Sequence, residues 1–228
     1  MRPAAARTRI SVVQPEGWVR LRIDDDVEER IAELSAALAR SAEPARRDLV
    51  RAQLRRSLRE LADSARGRAY EVWLPVGTTG GVTIPVTVTV GPLPTRPDPR
   101  RSIADVLLAM AAASPGARAV DVGGLLGVRT TDDIPGEQDA EGTYTSFPRR
   151  RVVYTVSPPA DGEWLAFLAE IIVPDTDEAD EIARASEFFV DALMATVAFG
   201  DETIGDAATR ARAADDREAA QREEGRQP

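Results

Sequence analysis

The sequence predicts an α+β fold in which a mostly antiparallel sheet is covered by helices, as an α/β/α sandwich with an N-terminal helical hairpin. Some segments alternate apolar and polar residues with a period of two, as strands do. Others repeat apolar residues every three or four positions, as helices do. Adjacent predicted strands are joined by short loops rich in Gly or Pro, which favour antiparallel pairing.

The first predicted elements are one strand and two helices. Residues 18–23 (WVRLRI) alternate and predict a half-buried strand. Three Asp residues at 24–26 then mark the start of a helix that extends to residue 38. Carboxylates are favourable there because they accept hydrogen bonds from the free N–H groups and interact well with the positive end of the helix dipole. A second helix is predicted from Pro44, a favoured first-turn residue, to Arg66. The short connection between the two helices indicates a hairpin.

The next predicted elements are two strands joined by a glycine loop. Residues 69–75 and 82–90 alternate, and residues 77–81 (GTTGG) connect them as a hairpin. Pro85 lies inside the second strand and cannot donate a hydrogen bond to a neighbour. We therefore expect this strand to lie at the sheet edge or to contain a bulge.

A short helix and a second strand pair follow. Ser102 is a favourable N-cap for a helix that ends near residue 112. Residues 117–122 and 125–131 are predicted to pair around two glycines. Residues 130–146 are polar and acidic, and we expect them to form a loop.

The last predicted elements are two strands and a helix. Residues 152–157 alternate, whereas residues 163–173 (EWLAFLAEIIV) are almost continuously apolar, which indicates a central strand covered on both faces. A helix with acids in its first turn begins at residue 175 and runs to about residue 199. These elements predict a single α+β domain over residues 9–199. Residues 200–228 form a polar, charged tail that we expect to be disordered or a frayed helix.

The composition argues against an enzyme. The 228 residues include no His, Cys, Lys or Asn, so the usual imidazole, thiolate and amine catalysts and ligands are missing. We therefore expect no catalytic residues, no cofactor and no metal site. The absence of Lys and Asn, which are read from A-rich codons, indicates a high-GC genome such as that of an actinobacterium.

The charge and hydropathy give further expectations about partners and location. The net charge of −9 argues against nucleic-acid binding. The sequence contains no apolar run of about 18 residues, which argues against membrane insertion, and no signal peptide is recognisable. We expect a cytoplasmic protein.

Three features together resemble the Mog1/PsbP/DcrB-like fold family. They are the PEGW motif at residues 15–18, the pair of late strands, and a terminal helix that carries Phe188, Phe189 and Phe199. Relatives of this fold include photosystem accessory proteins, mycobacterial LpqN-like lipoproteins and chaperones for secreted effectors. The resemblance implies a binding or accessory role. The second predicted helix is longer than that fold requires.

The first candidate site is an arginine ridge on the second predicted helix. Its four members recur every fourth residue and therefore share one helix face: Arg47, Arg51, Arg55 and Arg59. Residues 45–68 contain eight Arg against three acids, an excess of five positive charges. The ridge could bind an acidic partner or a phosphate-bearing ligand. The alternative is a solvated outer face opposite Leu54, Leu58 and Leu61.

Other clusters support weaker hypotheses. Acids crowd the last helix: Asp175, Asp177, Glu178, Asp180, Glu181, Glu187 and Asp191. They do not have the spacing of a calcium-binding loop, which argues against a metal site. They could instead pair with the arginine ridge, either within the fold or across a homodimer. A hydrolase that uses only carboxylates would need two acids held on either side of the substrate bond. The predicted loop offers five candidates: Asp132, Asp133, Glu137, Asp139 and Glu141.

Two functional hypotheses result. The first is a non-enzymatic accessory or adaptor protein, such as a secretion-associated chaperone, that binds another protein through the arginine ridge and an exposed sheet edge near Pro85. The alternative is a carrier of a small apolar ligand or lipid in a cavity between sheet and helices. That cavity would be lined by aromatic residues, for which core packing is the other interpretation: Trp18, Trp73, Trp164, Phe167 and Phe189.

Overall fold

A computed structural model describes residues 9–78, 83–93, 97–98, 100–139, 141, 143–157 and 164–200. The α-helices are α1 (Val27–Ala39), α2 (Arg47–Ala65), α3 (Ile103–Ala113) and α4 (Ala179–Met194), and a 3-10 turn, Pro44–Arg46, precedes α2. The strands are β1 (Ile10–Ser11), β2 (Trp18–Arg22), β3 (Glu71–Pro75), β4 (Val86–Pro92), β5 (Arg118–Val122), β6 (Leu125–Ile134), β7 (Glu137–Gln138), β8 (Tyr144–Ser146), β9 (Arg149–Val156), β10 (Leu165–Ile172) and β11 (Ala198–Phe199).

The main sheet has seven strands, and every pair within it is antiparallel. Its order is β2-β3-β4-β10-β9-β6-β5, while β1 pairs with β11 and β7 pairs with β8. The predicted α+β class and antiparallel sheet are thus confirmed. At the β5–β6 turn, Gly123 and Gly124 have φ values of 61° and 80°, the positive values that a tight two-residue hairpin requires.

The middle strand, β10, was correctly predicted to be central but is not covered equally on both faces. Leu165, Phe167, Ala169 and Ile171 are buried, whereas the alternate residues are only half-buried or exposed. The buried side chains point towards α4 and join the large core, which also includes residues of β3, β4 and β9. The apolar run therefore forms one fully buried face, because α4 packs directly against this strand.

A second, smaller core lies under α1 and α2. Val27 and Ile31 of α1 and Leu58 of α2 pack with Leu21 of β2 and Val72 of β3. Val72 alternates along its strand with Trp73, which belongs to the large core, so the two cores lie on opposite faces of the sheet. The sheet thus packs α4 on one face and the α1–α2 pair on the other.

Two local predictions were wrong. Residues 130–146 are not one loop, because β6 continues to Ile134 and β7 and β8 follow. The acids in this region suit a strand because Asp132 and Asp133 lie opposite Arg151 and Arg150 of β9. Pro85 does not mark an edge strand either, since β4 lies between β3 and β10 and the edges are β2 and β5.

Some expectations concern residues outside the described ones. Part of the predicted glycine loop at 77–81 and, apart from Gly200, the predicted tail at 200–228 fall in this category. Within the described residues, no helix is both long and apolar enough to span a membrane. The same part of the chain contains no group of three or more acidic side chains placed to hold a metal ion.

Gly91 provides a test of how closely β4 packs against residues 68 and 69, which lie between α2 and β3. A Cβ atom at this position would collide with the carbonyl oxygen of Arg68 and lie 3.1 Å from the Cα of Ala69. We expect Gly91→Ala to lower the free energy of unfolding by about 1–3 kcal/mol, since backbone must move. Urea denaturation would measure this change in the free energy of unfolding. Gly77→Ala, whose Cβ would lie 3.4 Å from Gly17 Cα, is the control, and equal losses would contradict this explanation.

Candidate protein interface

The arginine ridge lies beside the junction between α1 and α2. Arg59 donates hydrogen bonds to Glu28 in the first turn of α1, with a shortest separation of 2.7 Å. At the other end, Arg47 donates to the carbonyl oxygen of Arg40, which follows α1, at 3.5 Å. Both ends of the ridge therefore lie beside α1. All four arginines of the ridge are exposed, whereas Leu58 is buried and Leu54 and Leu61 are half-buried, so the structure also agrees with the alternative interpretation of a solvated outer face.

The ion pairs of the ridge leave much of its charge available. Arg51 contacts Asp48 at 3.0 Å within α2, and Arg59 contacts Glu28. Arg55 has no ion-pair partner among the described residues. The hydrogen bond from Arg59, aided by the nearby charge of Arg55, lowers the pKa of Glu28. Such exposed pairs contribute little to stability and exchange readily, so these guanidinium groups remain open to another carboxylate.

An apolar groove lies between α2, the end of α1 and β3. It has a volume of about 360 Å³ and is lined by residues of α1, α2 and β3 and their ends: Leu38, Ser41, Leu54, Ser57, Leu58, Leu61, Leu74, Pro75 and Val76. Arg47 reaches the carbonyl of Arg40, immediately before the groove residue Ser41. We call the ridge and this groove together the α2 surface. It combines apolar side chains with cations, as protein interfaces commonly do.

A buried charge cluster, not predicted from the sequence, joins α4 to the sheet. Arg129 of β6 is 8% exposed and contacts Glu187 at 2.7 Å and Asp191 at 2.8 Å. Arg150 of β9 contacts the same Glu187 at 3.0 Å, and the Tyr154 hydroxyl donates to Asp191. We call these five residues the Arg129 cluster. Glu187 and Asp191 thus pair with sheet arginines, and not with the arginine ridge as the sequence suggested.

The ionisation of the Arg129 cluster suits a structural role. Burial opposes the charge on Arg129, but hydrogen bonds with Glu187 and Tyr154 and the charge of Asp191 outweigh it and raise its pKa. Burial, and then the hydrogen bond to Asp191, raises the pKa of the Tyr154 hydroxyl. Both groups therefore keep their protons at neutral pH. Paired charges of this kind fasten α4 to the sheet and provide no activated nucleophile.

The acids considered for hydrolysis have local structural partners. Asp133 pairs with Arg150 at 2.7 Å, whereas Asp132 is the next residue along the same strand and points to the other face. Asp139 accepts hydrogen bonds from the backbone N–H groups of Glu141 and Thr143, which shapes a turn. Glu137 lies in β7.

Four of the five aromatic side chains expected to line a cavity pack against one another in pairs. Trp18, Trp73 and Phe167 are buried members of the large core. The ring centroids of Trp73 and Phe167 lie 5.9 Å apart, and those of Trp18 and Phe189 lie 5.2 Å apart. Core packing, the other interpretation, therefore applies to these rings. Phe189 also borders a separate groove beside α4.

Comparison with known proteins gives a distant structural likeness. No family model matches the chain, and no curated protein matches its sequence. The chain is similar to the solved structure of LpqN, described as involved in cell envelope biogenesis of Mycobacterium tuberculosis. The two are 14% identical, the match covers 87% of each chain, and the TM-score is 0.40.

Proposed function

We propose that this chain is a non-enzymatic adaptor that binds an acidic segment of a partner protein through the α2 surface. The observation that carries the proposal is the exposed arginine ridge on a chain whose net charge is −9. A local positive strip attracts acidic segments of another molecule, although the chain as a whole is acidic. The adjoining groove would take apolar side chains of the same partner.

The finer description of the fold is part of the same proposal. We infer a Mog1/PsbP-like α/β/α sandwich whose N-terminal helical hairpin consists of α1 and α2. The PEGW motif, the antiparallel sheet and the packing of α1 on α2 support this description. The accessory role, and a secretion-associated chaperone in particular, is what the resemblance to that family implies.

The experiment is purification from the native host followed by identification of bound protein. We expect a stoichiometric partner that is lost when Arg51→Glu and Arg55→Glu are combined, with affinity reduced by roughly tenfold or more because attraction becomes repulsion. Binding should also weaken as salt is added, since exposed charges are screened. Isothermal titration with the identified partner would measure both effects.

The matched control places the same charge change elsewhere on α2. Arg56 and Arg66 pair with Glu60 and Asp63 and are not members of the ridge. Arg56→Glu combined with Arg66→Glu should leave the partner bound. A partner that remains bound to the ridge variant, or that is lost equally from both variants, would contradict the proposed surface.

A further inference from the structure

The main sheet ends at β5, and the outer side of this strand is open. β5 pairs with β6 along its whole length, and no other strand of the described residues lies beside it. A proline or a β-bulge would protect an edge strand from further pairing, but β5 contains no proline and its register with β6 is uninterrupted. Ala119 and Asp121 are exposed on this strand. β5 is therefore free to pair with another strand.

The hairpin between β5 and β6 fixes which backbone groups point outwards. Val122 and Leu125 flank the turn of two glycines and lie opposite each other. In such a hairpin the flanking residues exchange hydrogen bonds, and every second residue along the strand does the same. The residues between them direct their N–H and C=O groups away from the partner strand. In β5 these outward residues are Ala119 and Asp121, so their backbone groups form the free edge.

The free edge is complementary to a second copy of itself. Two β5 strands related by a two-fold axis run antiparallel, and Ala119 of each copy then lies opposite Asp121 of the other. Their outward backbone groups can exchange hydrogen bonds, while the two Val120 residues lie opposite each other at the axis. This register pairs all five residues of β5. It also keeps the two Asp121 carboxylates apart, and like charges directly opposite would be unfavourable.

The charge of the edge also suits a second copy. The whole chain carries a net charge of −9, so two copies repel each other on average. β5 carries one positive and one negative side chain, Arg118 and Asp121, and is neutral. The other edge of the sheet, β2, carries two arginines of like sign, Arg20 and Arg22. β5 is therefore the edge at which two copies meet with the least repulsion.

Exposed apolar side chains lie close to the same edge. Leu126 of β6 is 50% exposed and lies opposite Asp121. α3 packs on β6 and exposes Ile103 and Leu108. A two-fold axis perpendicular to the sheet places α3 of both copies on the same side of the joined sheets, each near the second strand from the axis. Stable interfaces bury about 800 Å² per partner, and these side chains add apolar area to that of the paired strands.

We propose that this chain forms a homodimer in which β5 pairs with β5 of a second copy, so that the two seven-stranded sheets become one continuous sheet. The backbone of Ala119 and Asp121 provides the hydrogen bonds across the axis. α2 packs with residues of β2 and β3, at the other side of the sheet from β5, so the dimer leaves the α2 surface free. The test of the dimer is therefore independent of the proposed adaptor role.

The first test is sedimentation equilibrium of the full chain. We expect a species of twice the chain mass of 24.6 kDa, with a fraction that rises with protein concentration. Ala119→Pro removes an outward N–H without removing a bond to β6, so it should raise the dissociation constant of the dimer roughly tenfold or more. Ala119→Thr keeps the N–H and is the control. A monomer at every concentration, or equal dimerisation of the two variants, would overturn the proposal.

A disulfide test locates the axis, and it is specific because the chain has no cysteine. Opposed residues of a non-hydrogen-bonded pair have Cα atoms about 4.5 Å apart, which a disulfide can span, so Val120→Cys should link the two copies on mild oxidation. Asp121→Cys is the control, since its two copies are out of register by more than about 7 Å. No link through Val120→Cys, or equal linking of both variants, would overturn the proposed pairing. This result does not require the proline variant to fold.

Discussion

Replacement of Arg129 by Met is expected to lower the free energy of unfolding by about 3–5 kcal/mol. Arg129 is buried between β6 and α4 and contacts both Glu187 and Asp191. Removing the guanidinium group takes away the buried cation that both carboxylates share. Arg150 still contacts Glu187 and Arg118 still contacts Asp191, but both arginines are more exposed than Arg129, and breaking a buried ion pair is costly. Urea denaturation followed by circular dichroism would measure the change.

Arg118 is the matched control because it contacts the same Asp191. Its distance is 2.6 Å, but its side chain is 55% exposed. We expect Arg118→Met to cost about 1 kcal/mol or less, as is usual for exposed pairs. If the two variants lost equal stability, burial would not be what makes the Arg129 cluster important.

Replacement of Phe167 by Ala is expected to cost about 3–5 kcal/mol, because a large buried ring is lost and a cavity remains. Phe167 is fully buried at the centre of β10 and contacts the rings of Trp73 and Phe199. This strand lies in the middle of the sheet, so neighbouring elements cannot easily close the space. Urea denaturation with tryptophan fluorescence would report the loss through Trp73.

The comparison for Phe167 is the next residue of the same strand. Leu168 points to the other face and is only half-buried. We expect Leu168→Ala to cost less than half as much as Phe167→Ala, because folding buries less apolar surface of Leu168 than of Phe167. Equal losses would mean that the second face is packed as tightly as the face under α4, as the continuous apolar run of β10 originally suggested.

Local sequence signals predicted most individual elements. The helix from residue 102 is an example, because Ser102 accepts a hydrogen bond from the backbone N–H of Asp105 as an N-cap should. The prediction for residues 130–146 failed because acids normally indicate loops. Here they lie beside arginines of β9, and this register cannot be read from either strand alone.

The candidate sites depended much more on the fold. The sequence identified the arginine ridge through its four-residue spacing, and the four side chains are exposed in the structure. The structure places it beside α1 because Arg59 meets Glu28, 31 residues earlier in the chain.

By itself, the sequence determined the elements whose causes are local: the period of apolar residues, the caps and the glycine turns. It also determined which catalytic side chains are missing, because composition does not depend on folding. Only the tertiary structure decided how charges and cavities are arranged. Arg129 meets Glu187 58 residues away and Asp191 62 residues away. Such contacts arise when α4 packs on the sheet to bury its apolar face, and packing then selects the partners of the polar groups beside it.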